Sequence, residues 1–166
     1  MNLKLKVLLQ NAVYTAIYVV LCIVFAPISF QAIQVRIAEA ICIMPLFDPF
    51  AIISVSVGCF ISNILYGNMA DAIFGTLATF LGLLAIKFIK SKNFFVRMFP
   101  TILSNTIIIP FVLKYAYGVV EMPIILSALY IAIGEIIAIY GIGFLFYKAL
   151  NKIASARIIE FYSSKN

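Results

Sequence analysis

The sequence contains no histidine and only three cysteines, Cys22, Cys42 and Cys59, which lie far apart within apolar runs. No C-x-x-C spacing occurs, so the pattern argues against a metal centre or a disulfide framework and favours buried packing. Nucleophilic hydrolysis also lacks its groups, because no serine or cysteine has a base beside it. We therefore expect no metal, no catalytic residue and no enzymatic activity.

A phosphate-binding loop of the form G-x-x-x-x-G-K-[ST] is also missing, so this chain cannot itself hydrolyse ATP. Uphill transport would need an ion gradient or a separate ATPase. Gradient-driven carriers usually contain inverted repeats with broken helices in matching positions. Here the first half is interrupted between Pro45 and Pro49, and the second half offers only Pro110 as a counterpart. This asymmetry favours a substrate-binding subunit that uses a separate motor.

Charged residues make up only 11% of the chain, whereas a soluble domain has about 25%. The mean hydropathy is +1.16, and apolar stretches recur from end to end, which indicates an integral membrane protein. At roughly 20 residues per span, 166 residues can cross a lipid bilayer about six times with little left over. The net charge of +6 is explained by anchoring beside anionic lipid and requires no nucleic acid.

Ten of the twelve basic residues form three clusters, which the positive-inside rule assigns to the cytoplasm. An even number of spans must therefore separate each cluster from the next. The clusters are Lys4 and Lys6; Lys87, Lys90, Lys92 and Arg97; and Lys148, Lys152, Arg157 and Lys165. Two apolar runs separate the last two clusters, but three separate the first two.

The run from Arg36 to Tyr66 resolves this conflict if it contains two spans. As one helix it would be roughly 46 Å long, against about 30 Å of hydrocarbon, and Pro45 and Pro49 interrupt it around Asp48. We therefore predict an all-α membrane protein, a compact bundle of six transmembrane helices with both termini cytoplasmic. The single domain, 1–166, has spans at about 7–28, 36–47, 49–66, 72–88, 98–117 and 124–147 and a short basic cytoplasmic tail at 148–166.

Polar residues collect at the outer side of this topology, and a pocket opening outward is the economical explanation. Arg36 and Glu39 interrupt the apolar sequence, and bare charge is expensive in hydrocarbon. The predicted topology also places Asn63 and Asp71 on the outer side of the membrane, together with Lys114 and Glu121 in the last outer loop. Two alternatives remain open: Asp71 is a good N-cap for the fourth helix, and the side chain of Lys114 could extend to the interface.

Glu135 lies near the middle of the last span, so its side chain must face the bundle interior. On a lipid-facing surface its carboxylate would cost at least about 2.5–3.5 kcal/mol. Inside, it could be protonated and hydrogen-bonded to Asn105 or a tyrosine, or it could serve as a ligand-binding or coupling residue. The sequence leaves both roles open.

Small residues recur at four-residue spacing in three spans, which allows helix backbones to approach closely. For Ser54, Gly58 and Ser62, and for Gly75 and Thr79, we predict packing within the chain. Ala12 and Ala16 belong to a terminal helix, so that row could instead contact another subunit.

Four segments in order resemble the substrate-binding (S) components of energy-coupling factor (ECF) transporters, and among them the QueT group associated with queuosine precursors. The resemblance covers about Val7 to Lys148. Its most specific segments are residues 33–40 (IQVRIAEA), 58–63 (GCFISN), 71–79 (DAIFGTLAT) and 133–135 (IGE). One departure is Ala38, where a serine is expected, which removes one polar contact near Glu39.

The resemblance implies a six-helix bundle that captures a small-molecule substrate from outside the cell, with the first loop closing the pocket. It also implies partners: a membrane-embedded T component and two cytoplasmic ATPases that use ATP to drive import, so this chain needs no cofactor of its own. Ala12 and Ala16 match the surface through which such subunits meet the T component.

A guanine-like base suits the polar residues of this chain. Its adjacent N–H donors can be accepted by Glu39 or Glu135, its carbonyl can accept from Asn63, Asn105 or Arg36, and Tyr130 or Phe30 can stack on the ring. A precursor that carries an amine would also favour an acid such as Asp71. The alternatives are an S component for riboflavin, folate or pantothenate, and a membrane assembly protein without a small ligand.

Overall fold

The computed structural model describes residues 2–29, 35–116, 118 and 122–163, and every regular element within these ranges is a helix. Six helices follow one another in this described part of the chain, which confirms the predicted all-α bundle. Helix 1 is Leu3–Val24, helix 2 is Ile37–Leu46, helix 3 is Ala51–Tyr66, helix 4 is Asp71–Phe88, helix 5 is Phe94–Ala116, and helix 6 covers 124–163. A short helical turn, Ala26–Ser29, follows helix 1.

The predicted break at Pro45 and Pro49 separates helix 2 from helix 3. Asp48 stabilises the turn between them, since its Oδ1 accepts a hydrogen bond from the backbone N–H of Phe50 at 2.9 Å. Helix 2 is a 3₁₀ helix of ten residues, so it is about 20 Å long at about 2.0 Å per residue. The hydrocarbon core is about 30 Å thick. Helix 2 is therefore shorter than the hydrocarbon core is thick.

Among the residues that the structure describes, four helices are long and apolar enough to cross a membrane, namely 1, 4, 5 and 6, whereas helices 2 and 3 are shorter. The observed ends differ by a few residues from the predicted spans. The largest difference is in helix 6, which continues through 148–163, the part assigned to a basic tail from sequence. The segment Phe144–Ser163 contains no glycine or proline, so nothing in its sequence stops the helix.

The helices form a closed ring. Helix 1 packs on helix 3, helix 3 on helix 4, helix 4 on helix 5 and helix 5 on helix 6, and helix 2 closes the ring between helices 6 and 1. Two glycines permit the closest approaches. A Cβ on Gly58 would lie 2.9 Å from Cβ of Tyr18, and one on Gly82 would lie 2.6 Å from Cα of Thr101.

Two of the predicted small-residue rows are buried within the bundle. Ser54, Gly58 and Ser62 are buried in helix 3, and Gly75 and Thr79 are buried in helix 4. Packing within the chain is therefore confirmed for both rows. Ala12 and Ala16 differ, because both are exposed on the outer surface of helix 1.

The interior of the ring differs between its two ends. At the aromatic end, the ring of Phe94 packs on those of Tyr147 and Phe144 at centroid distances of 4.8 Å and 5.2 Å, and Met98 is fully buried beside them. At the polar end lie six buried side chains, Arg36, Glu39, Asn63, Asp71, Asn105 and Glu135.

Side-chain contacts show which loops lie at which end. Asn11 Nδ2 donates a hydrogen bond to Asp48 Oδ2 at 3.2 Å, so the Asp48 turn lies near the start of helix 1. At the other end, Ser29 Oγ donates to the carbonyl of Val35 at 3.5 Å. This arrangement matches the one required by charge counting, while the cytoplasmic location of the termini stays a prediction.

Candidate functional site

The polar end collects side chains from separate helices into a region that is closed to solvent. Each of its six residues exposes at most 6% of its surface. All six were candidate binding residues from sequence, and the fold brings them together although up to 99 positions separate them along the chain (Arg36 to Glu135). Burial of so many polar groups is costly unless hydrogen bonds or a ligand compensate.

Asn63 connects helix 3 to the start of helix 2 and to helix 4. Its Oδ1 accepts a hydrogen bond from Arg36 Nη1 at 3.1 Å, and its Nδ2 donates to the backbone carbonyl of Asp71 at 3.0 Å. A Cβ on Gly75 would lie 3.0 Å from this amide nitrogen, so the glycine lets helix 4 pack against Asn63. Asn63 therefore orients the guanidinium of Arg36.

Asp71 does not cap the fourth helix, so the N-cap alternative is wrong. The cap comes from Asn68, whose Oδ1 accepts the backbone N–H of Asp71 at 3.0 Å. The Asp71 side chain is instead buried at the start of a π-helical turn, Asp71–Gly75. Single π-turns inside α-helices often occur at functional sites.

Glu39 does not form a local pair with Arg36. Its Oε1 accepts a hydrogen bond from the Tyr18 hydroxyl at 2.5 Å, and its Oε2 accepts one from Cys42 Sγ at 2.8 Å. These contacts hold the carboxylate between helices 1 and 2. Each carboxylate oxygen has two lone pairs, so the group keeps capacity for a further donor.

Glu135 and Asn105 form a second polar contact, between helices 6 and 5. Asn105 Nδ2 donates to Glu135 Oε1 at 2.9 Å, which confirms the hydrogen bond considered from sequence. The other two acceptors, Glu135 Oε2 and Asn105 Oδ1, are buried without a hydrogen-bond partner among the described residues.

A π-helical segment, Ile136–Gly143, begins directly after Glu135. It packs against helix 2, where the Cβ of a residue at position 143 would lie 3.1 Å from Ile43 Cγ2. Both buried carboxyl groups of the longer helices, Asp71 and Glu135, therefore adjoin π-helical turns. The wider helix there changes the direction of the following side chains without breaking the span.

A sequence model of the family described as the QueT transporter matches residues 8–152. The chain belongs to the QueT transporter family. A relative from Lactococcus lactis subsp. cremoris (strain MG1363), named queuosine precursor transporter QueT, is 30% identical in an alignment that covers 88% of this chain and 93% of the relative. No solved structure matches the chain.

Other candidate residues of this QueT-family chain are not brought into the polar contacts. Tyr130 is half-buried on helix 6 and makes no hydrogen bond or ring contact with the described residues. Lys114 lies with its Nζ 5.9 Å from the ring centroid of Tyr115, near the end of helix 5. Phe30 and Glu121 lie outside the described residues.

Sequence reasoning missed three residues that support the site. Tyr18 and Cys42 hold Glu39, and Cys59 Sγ lies 3.6 Å from Thr79 Oγ1 and 3.4 Å from the Asn63 amide nitrogen. Cys42 follows Glu39 by three positions in the same helix, and Cys59 precedes Asn63 by four. This spacing was the available signal, because residues three or four apart share a helix face.

Ala12 lines a membrane-facing groove of about 410 Å³ between helices 1 and 3. Asn11, Thr15 and Ser54 contribute the polar part of its wall, where Thr15 Oγ1 donates to the carbonyl of Ser54 at 2.8 Å. Among the residues that the structure describes, no three His, Cys, Asp or Glu side chains are grouped to hold a metal ion.

Proposed function

We propose that this chain is the substrate-binding S component of an ECF-type importer and captures a queuosine precursor, a deazaguanine-type base, from outside the cell. The observation that carries the proposal is the burial of six polar side chains, three of them acidic and one basic, at the polar end of the bundle. Family membership and the name of the Lactococcus relative support the substrate class.

The chemistry of the polar end suits a guanine-like edge. Glu39 is held by Tyr18 and Cys42 in a fixed orientation and can accept two adjacent N–H groups of the base. Arg36, oriented by Asn63, can donate to the ring carbonyl. Tyr130, which is half-buried on helix 6, or Phe30 would stack on the ring.

The energy for uptake comes from partners in this proposal. Without a phosphate loop the chain cannot hydrolyse ATP, so a T component and two cytoplasmic ATPases must drive import. The exposed row of Ala12 and Ala16, beside the groove between helices 1 and 3, is a surface that another membrane helix can approach closely.

Thermal stabilisation of the purified chain by a ligand panel tests the substrate class, because a ligand that binds only the native state raises stability by mass action. Deazaguanine-type bases should raise the melting temperature, while riboflavin, folate and pantothenate should not. Stabilisation by one of these vitamins would assign the chain to that substrate, and no stabilisation by any member of the panel would contradict the proposal.

Transport assays test the coupling. Vesicles that contain the chain alone should bind the base without accumulating it, and co-reconstitution with the T component and ATPases should add ATP-dependent uptake. Concentrative uptake by the chain alone in vesicles without ATP would instead indicate a gradient-driven carrier.

A further inference from the structure

The buried charges at the polar end do not balance. Three carboxyl groups, Glu39, Asp71 and Glu135, face one guanidinium, Arg36, among the buried side chains that the structure describes. With all four groups ionised, the interior has an excess of two negative charges. An uncompensated buried charge is costly, so such an arrangement favours a ligand that supplies positive charge.

Two buried acceptor atoms without a partner in the described part of the chain mark the position at which a positively charged ligand group would bind. Both Glu135 Oε2 and Asn105 Oδ1 are buried acceptors without a partner among the described residues. They are close together, because Asn105 Nδ2 donates to Glu135 Oε1 at 2.9 Å. A carboxylate only accepts hydrogen bonds, so the amide nitrogen faces Glu135 and the amide oxygen is left for a separate donor.

We propose that Glu135 and Asn105 form a subsite for a protonated amine carried by the substrate, so that the chain selects amine-bearing bases over neutral ones. This inference rests on the proposed function, because it assigns one part of the ligand within the same site. An ammonium group has three N–H donors and no acceptor, and two of the donors match Glu135 Oε2 and Asn105 Oδ1. Its charge reduces the excess at the polar end.

The three carboxyl groups thus have different roles. The Glu39 oxygens already accept from Tyr18 and Cys42, so this carboxylate is positioned for the neutral edge of the base. The backbone carbonyl of Asp71 accepts from the Asn63 amide, which itself accepts from Arg36, so Asp71 belongs to the part of the site that contains the guanidinium. Glu135 has a neutral amide as its hydrogen-bond partner, which leaves its charge for the ligand.

Two ligands that differ in a single charge test this subsite by calorimetry on the full chain in nanodiscs. One is a deazaguanine with an aminomethyl group, and the other has a methyl group in its place. The wild-type protein should bind the amine about tenfold or more tightly, because a hydrogen bond to a charged group is worth more than a neutral contact. Equal affinity for the two ligands would overturn the proposal.

The variant Glu135→Gln locates the preference. It keeps the side-chain shape, so the affinity for the amine should fall about tenfold or more, while the affinity for the methyl ligand changes less than about threefold. Asp71→Asn is the matched carboxyl control and should affect both ligands to a similar extent. A preference that survives Glu135→Gln, or that Asp71→Asn removes equally, would refute the assignment.

The binding measurements distinguish a failure of the proposed function from a failure of the amine subsite. If neither base binds the wild-type protein, the proposed function is wrong. If both bind with equal affinity, the proposed function stands and the amine subsite is wrong. Should Glu135→Gln fail to fold, Asn105→Ala gives a second test, with a several-fold smaller preference expected and an unchanged preference counting against the subsite.

Discussion

The two ends of the bundle use buried residues in opposite ways. At the aromatic end, Phe94, Met98 and Tyr147 fill the space between helices with apolar contacts. At the polar end, Glu135 and Asn105 leave acceptors unpartnered among the described residues. The first arrangement stabilises the folded chain, whereas the second lowers its stability and gains from a ligand. The contrast indicates that stability and binding are separated along the helices.

Cysteine labelling tests whether the polar end faces outward, and its outcome is all or none. In a background without the native cysteines, with Cys42→Ser to keep a donor for Glu39, Asn68→Cys should react with an impermeant reagent on intact cells. Asp48→Cys should not react until the membrane is opened. Labelling in the reverse pattern would exchange the two faces and contradict the predicted location of both termini.

A change on the outer surface of helix 1 should abolish uptake without affecting the polar end. Ala12→Leu combined with Ala16→Leu adds volume where close helix approach is expected, so uptake should fall to background while ligand affinity stays within about twofold. Val13→Phe adds comparable bulk to a neighbouring exposed position and should retain uptake. Loss of binding in the double variant would mean that this row supports the site itself.

Removal of the Glu39 charge at the polar end should weaken ligand binding, whereas removal of the Asp48 charge at the opposite end should not. Glu39→Gln should weaken binding of the base by roughly 1.5–3 kcal/mol, or more than tenfold, because it loses charged hydrogen bonds. Asp48→Asn, at the opposite end, is the matched control and should leave the affinity unchanged. Titration calorimetry measures both, and an unchanged affinity in Glu39→Gln would remove Glu39 from the site.

Truncation in the aromatic core should lower stability and spare binding. Met98→Ala should cost roughly 2 kcal/mol, which corresponds to a cavity of about 80 Å³ at about 24 cal/mol per Å³. Only the cavity term is expected, because unfolded helices that remain in lipid lose little transfer energy. Unfolding in detergent measures the loss, and exposed Val96→Ala should show none. A reduced ligand affinity in Met98→Ala would show that the two ends are coupled.

Of these predictions, the smallest effect is expected for Glu135→Gln on the free energy of unfolding of the chain without ligand. The substitution replaces a buried carboxyl group with an amide of the same shape, so stability should stay within about 1 kcal/mol of the wild type or rise. The same unfolding assay measures it without ligand. A loss as large as that of Met98→Ala would assign Glu135 to the structure rather than to binding.

The number of helices and the interior position of Glu135 followed from the sequence because they depend on chain length, charge and the cost of polarity in lipid. Each of these three quantities is a sum over single residues, so it can be calculated from the sequence. The 3₁₀ geometry of helix 2, the π-turns after Asn68 and Glu135, and the continuation of helix 6 were not predicted. Local helical geometry depends on the neighbouring helices, which a sequence pattern does not specify.

The sequence by itself determined that the Glu135 side chain could not face lipid, and it made Arg36, Glu39, Asn63, Asp71 and Asn105 candidates for a binding pocket. The tertiary structure decided which partner each one has: Asn63 for Arg36, Tyr18 and Cys42 for Glu39, and Asn105 for Glu135. It also decided which acceptors have no partner among the described residues. The cost of exposing a polar side chain to lipid depends on that residue alone, so it can be judged from the sequence. A hydrogen bond needs a donor and an acceptor within bonding distance. For residues far apart in the sequence, only the packing of the helices sets that distance.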